Sequence, residues 1–79
     1  MEQNTRELSP GNRMELPMGT ASSIRIDKTN QTDDDSAMVE YGEDAPITVR
    51  EFPYEKQDLV ETVAVTNTGA GELTITFSV

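Results

Sequence analysis

Residues 63–79 read VAVTNTGAGELTITFSV, and their pattern decides the fold. Leu73, Ile75, Phe77 and Val79 alternate with Thr74, Thr76 and Ser78. Val63 and Val65 share a parity with Leu59, broken only by Glu61. Alternation with a period of two describes a strand with one face on a core and one in water. Between the two runs lies Asn67–Gly71, NTGAG, five residues with two glycines, which fits a longer hairpin loop. The spacing therefore predicts a hairpin with Val65 opposite Leu73, Val63 opposite Ile75 and Leu59 opposite Val79, all on one side. The last strand is expected to close its own sheet through this hairpin rather than to join a neighbour's.

The same period runs outward through the chain. Met14, Leu16 and Met18 alternate with Arg13, Glu15 and Pro17; Ile24 and Ile26 with Ser23, Arg25 and Asp27. Ala37, Val39 and Tyr41 alternate with Ser36, Met38 and Glu40, and Ile47 and Val49 with Thr48 and Arg50. Turn chemistry separates the runs at Gly19–Ser22, Lys28–Asp35 and Gly42–Pro46. Ten threonines, mostly in or beside the runs, agree with β propensity. No window carries apolar residues at helical spacing over three turns; Tyr54–Asp58 could make one turn at most. Pro17 and Pro53 would remove ladder donors and so mark edges or bulges. The expected fold is all-β: a small antiparallel sandwich or jelly-roll-like barrel of about six strands.

Residues 1–11 hold one large aliphatic residue, Leu8, and no periodicity. They read as a flexible N-terminal arm ended by the turn signal Ser9-Pro10-Gly11-Asn12, leaving 12–79 as a single β domain. A weak internal repeat is visible. Ala37, Val39 and Tyr41 match Leu73, Ile75 and Phe77 at a spacing of 36, as Glu15-Leu16-Pro17 matches Glu51-Phe52-Pro53. Ile24-Arg25-Ile26 corresponds to Val63-Ala64-Val65 after a three-residue shift.

Composition narrows the function. Among 79 residues, 4 Leu, 4 Ile, 6 Val and 2 Phe make 16, or 20%, on the edge of what folds alone. The thin core, with no disulfide to support it, makes association with copies of itself or with a larger body the natural remedy. Cys, His and Trp are absent, which leaves no disulfide, Cys/His zinc site, thiol nucleophile or imidazole base. Fifteen acidic residues against six basic ones give a net charge of −9. That disfavours direct binding to nucleic acid or an anionic membrane and suits a basic partner surface or plain solubility. No apolar run has membrane-spanning length, and MEQNTRELSPGN lacks the apolar region of a secretory signal, so synthesis in the cytoplasm is expected.

Candidate sites are few. Asp33, Asp34, Asp35, Glu40, Glu43 and Asp44 crowd a short stretch without Lys or Arg. The plain reading is a solvated loop that resists aggregation; the functional ones are contact with a basic partner or Ca²⁺ held by Asp33, Asp35 and Asp44. The EF-hand pattern fails, because Ala37 and Met38 stand where an oxygen ligand and Gly are needed. Glu51, Glu55, Asp58 and Glu61 surround Phe52 and Tyr54, but so small a chain can hardly wall off the cleft that paired carboxylates need for glycoside hydrolysis. Gly19-Thr20-Ala21-Ser22 is no nucleophile elbow. Asn30-Gln31-Thr32 matches a glycosylation acceptor, which without a secretory signal reads as chance. Phe52 lies on the parity opposite to Ile47 and Val49: either a bulge turns it inward, or it points outward as a partner anchor beside Tyr54. Met14, Met18 and Met38 read as core or interface filler. Residues singled out for partner contact are Leu8, Phe52, Tyr54, Asp33, Asp34 and Asp35.

The segment VAVTNTGAGELTITF resembles hairpins common in immunoglobulin-like and jelly-roll sandwich modules. The pattern is generic to β-hairpins, and no functional residue is carried over from it. The resulting expectation is a non-enzymatic structural subunit without a cofactor, working with protein partners as a homo-oligomer or in a larger assembly. A virion component, such as a minor capsid, decoration or tail-associated protein, is the leading instance. The alternatives are an acidic inhibitor that mimics nucleic acid against a basic groove, and a small carbohydrate-binding β module.

Overall fold

The computed structural model describes residues 3–19, 21–29 and 35–78, which form eight strands. They are β1 (Gln3–Leu8), β2 (Arg13–Leu16), β3 (Ser23–Lys28), β4 (Ala37–Tyr41), β5 (Ile47–Val49), β6 (Tyr54–Lys56), β7 (Val63–Asn67) and β8 (Leu73–Ser78). No helix occurs among the described residues, so none is long and apolar enough to cross a membrane. Two four-stranded antiparallel sheets face each other, ordered β1-β8-β3-β6 and β2-β7-β4-β5. The pairs β1·β8, β2·β7, β3·β6 and β4·β5 lay the first half of the chain along the second as one ribbon. Wrapping that ribbon adds β3·β8 and β4·β7 and closes the sandwich. This is the jelly-roll arrangement.

Side-chain parity is as the period of two requires. Ile24, Ile26, Ala37, Val39, Tyr41, Val49, Val63, Val65, Leu73, Ile75 and Phe77 all point inward and are buried. The predicted hairpin is not formed. β7 and β8 lie in different sheets, and Asn67–Gly71 arches between them. Val65 pairs with Met14 and Val39, and Ile75 with Arg6 and Ile26. The reason is burial. A hairpin would set both apolar faces on one side of a single sheet, whereas the arch places them in opposed layers that cover each other. Val79, expected opposite Leu59, lies outside the described residues.

The loose arm is also corrected. Gln3–Leu8 is a full strand on the edge of the first sheet, paired along β8 from Gln3↔Ser78 to Leu8↔Leu73. Leu8 is buried in the core, which removes it as a partner contact. β6 is the second addition to the expected six strands: Tyr54–Lys56 pairs with β3 and makes no helical turn. Both prolines behave as edge markers, since Pro17 follows edge strand β2 and Pro53 precedes edge strand β6. The radius of gyration, 11.6 Å, equals that of a globular domain of this length, about 11.6 Å by the usual scaling, so β1 is docked rather than trailing.

The internal repeat has a structural counterpart. Advancing every strand by four turns the order β1-β8-β3-β6 into β5-β4-β7-β2, the second sheet read backwards. The registers follow. Tyr41↔Val63, Val39↔Val65 and Ala37↔Asn67 correspond to Phe77↔Ile24, Ile75↔Ile26 and Leu73↔Lys28. The match of Glu15-Leu16-Pro17 to Glu51-Phe52-Pro53 does not survive, because the pairing makes Met14 and Tyr54 equivalent through Val65 and Ile26.

Candidate functional site: the open flank between β5 and β6

Strands β5 and β6 are the edges of their respective sheets on one flank of the sandwich, and each has three residues. Between so short a pair the layers do not cover each other fully. Ile47 has the inward parity of Val49, yet is 44% exposed. Tyr54, inward on β6, is half-buried and packs on the core edge, as do Phe52 and Leu59. Phe52 therefore takes the inward orientation and is no outward anchor. Tyr41, at the end of β4, reaches across the layers, and its hydroxyl lies 2.7 Å from that of Tyr54. Burial first, and then the Tyr54 hydroxyl, hold the Tyr41 phenol well above its usual range.

The loops of the same end complete the site. Gly42, at φ +57°, turns the chain after β4, and Asp44 N–H donates to the Tyr41 carbonyl at 2.9 Å. A Cβ on Gly42 would stand 2.7 Å from Oε2 of Glu61, so the glycine makes room for that carboxylate. Gly42 N–H also donates to the Thr62 carbonyl, and Leu59 N–H to that of Ser22, each bond fixing the loop between β6 and β7. Asp58 adopts φ +58°, a left-handed conformation that Asp tolerates better than most residues. Val60 follows and is 73% exposed. The result is a depression of about 320 Å³. Ile47, Tyr54, Leu59 and Val60 give its apolar lining, and Asp44, Asp58, Glu61 and Lys56 its charges. It adjoins a second depression of about 540 Å³ that shares Ile47 and Tyr54 and adds Arg50 and Glu51.

Of the residues singled out in the sequence, Tyr54, Asp44, Asp58 and Glu61 meet here. The acidic cluster is divided. Asp35 precedes β4 and Asp44 follows it, so a strand of five residues, about 16 Å long, separates them and they cannot share an ion. Asp35 is itself buried, with its carboxylate 3.7 Å from the Lys28 ammonium. It is thus an internal ion pair and neither a Ca²⁺ ligand nor a partner contact. Asp33 and Asp34 lie outside the described residues. No group of three acidic side chains that could hold a metal occurs among the described residues. Glu55, grouped with Asp58 and Glu61 in the sequence, instead pairs with Arg25 at 3.7 Å on the outer face of the first sheet.

Sequence reasoning missed Ile47, Leu59 and Val60 as the apolar lining of a site. One signal was available: Leu59-Val60 puts two large apolar residues side by side, and a period of two can bury only one. No protein-family model matches the chain, and no curated protein matches it.

Proposed function

We propose that this chain is a non-enzymatic structural or assembly subunit that works within a larger complex. The observation that carries the reading is the placement of its exposed apolar residues. Among the described residues the exposed large hydrophobics are Met18, Ile47 and Val60. All three lie at the end of the sandwich where the β2–β3, β4–β5 and β6–β7 connections emerge. A small domain with a thin core loses stability by leaving such residues in water, and a contact that covers them recovers it. A virion component (minor capsid, decoration or tail-associated protein) is the instance we favour. It is supported by fold-level analogy alone, since jelly rolls build virus coats as well as lectins.

Light scattering after size exclusion, with circular dichroism on the same sample, tests this reading. The expected result is a folded multimer, or a monomer that melts at a marginal temperature. A monomer with a cooperative, high-temperature melt overturns it.

One observation favours a second reading, the carbohydrate-binding module. Tyr41, Tyr54 and three carboxylates border a single depression, as polar recognition of a sugar requires. A glycan screen with no hit sensitive to Tyr54→Ala removes it. The acidic inhibitor rests on net charge only, and would lose its partner steeply with rising salt.

A further inference from the structure

The depression between β5 and β6 has a lining and a rim of different character, and together they specify an occupant. We propose that it docks a segment of a different protein that inserts one large apolar side chain flanked by Lys or Arg. This rests on the assembly-subunit reading and names the chemistry of the partner.

The apolar lining is aliphatic on its exposed side. Val60 at 73% and Ile47 at 44% stand out of the core, with Leu59 and Tyr54 half-buried behind them. A volume of about 320 Å³ lies at the lower end for binding pockets and is enough for one large side chain. Phe52, which could have made an aromatic platform with Tyr54, packs on the core instead. Stacking on sugar rings or bases is therefore poorly served.

The rim carries Asp44, Asp58 and Glu61 against a single cation, Lys56. None of these three carboxylates forms an ion pair with another described residue. Covering them with a neutral surface would strip their water without return, so the partner must bring positive charge. A second copy joined through the same face would bring two such acidic rims together, six carboxylates against two lysines, in a chain of net charge −9. The walls are built before binding. The hydrogen bonds from Leu59 N–H and Gly42 N–H hold the β6–β7 loop, and Glu61 sits against Gly42 in space that a Cβ would fill. Little ordering remains for the partner to impose.

The test is an NMR titration of the isotopically labelled full chain. The probe is a short capped peptide with one Phe between Lys residues, compared with the same peptide carrying Ala for Phe. Saturable shifts are expected at Ile47, Tyr54, Lys56 and Val60. Val60→Ser, at a position too exposed to threaten folding, should weaken binding about tenfold, as should Ala in the probe. Asp58→Asn with Glu61→Gln should weaken it several-fold and flatten its salt dependence. Glu40→Gln, on the outer face of the second sheet, should leave it within about twofold. Shifts scattered over the outer faces of both sheets, or equal binding of the Ala probe, overturn the proposal. So do an absence of binding, concentration-dependent shifts at these residues without peptide, and a neutral oligosaccharide that moves Tyr54 where the peptide does not. If the peptide fails while light scattering finds a multimer, the docking site falls and the subunit reading stands.

Discussion

Asn67 joins three parts of the molecule through one side chain. Its Nδ2 donates to the carbonyls of Leu8 and Gly71, each at 2.8 Å, and its Oδ1 accepts from Gly69 N–H at 3.0 Å. The residue is fully buried, and its backbone N–H donates to the Asn12 carbonyl. As the first residue of NTGAG it reads as ordinary turn chemistry; only the arch between sheets buries it. Asn67→Leu leaves two buried carbonyls and a partly buried N–H without partners, so a loss of about 2–4 kcal/mol is expected. A lower urea midpoint at unchanged slope would register it. Tyr41 makes a second prediction at this scale. The unfolded chain releases the phenol proton near the ordinary value of 10.0, while the folded chain retains it to higher pH. Its contribution to stability is therefore full below about pH 10 and falls as pH rises beyond that. Urea unfolding at about pH 9 and about pH 11 should show a smaller decline in Tyr41→Phe than in the parent.

At the scale of elements, β1 and β6 are the strands that periodicity did not reveal. β1 carries Gln3, Asn4, Thr5, Arg6 and Glu7, all exposed, before its one core residue. An edge strand with polar residues at inward positions resists pairing with other chains, and the same polarity hides it from a hydrophobic pattern. The inward positions of β6 are Tyr54 and Lys56, opposite Ile26 and Ile24. With a lysine at its second inward position, β6 displays no apolar period. Removal of residues 1–8 takes Leu8 from the core and uncovers the edge of β8. The melting temperature should fall by at least about 10 °C, or the protein should aggregate. An unchanged melt would restore the loose arm.

At the scale of the whole molecule, charge and symmetry dominate. The ion pairs Arg13–Glu15, Arg25–Asp27 and Arg25–Glu55 lie at 3.5–3.7 Å between half-exposed side chains, where such pairs contribute little. Repulsion within a chain of net charge −9 is the stronger effect. Raising NaCl from about 20 mM to about 500 mM should therefore raise the melting temperature by a few degrees. A fall would mean that the surface pairs outweigh the repulsion. The four-strand shift that exchanges the sheets explains why two of the three repeat correspondences are real in register. Equivalent strands have equivalent neighbours, so β4 and β8 meet the same demand for alternating side chains, as do β3 and β7.

Parity is legible in the amino-acid sequence without further help: which side chains of each run face the core, that the fold is all-β, and that prolines stand at edges. It is local, because successive side chains on a strand point to opposite faces whatever the strand pairs with. The choice of strand partners belongs to the folded molecule. NTGAG suits a hairpin and an arch equally in its glycines, and the outcome fell to burial of Val63, Val65, Ile75 and Phe77 between layers. The same closure recruited the polar edge strand β1, split the acidic cluster across β4, and brought Tyr41, Ile47, Tyr54 and Val60 to one flank. Those placements depend on pairings between residues far apart in the chain, which no local period encodes.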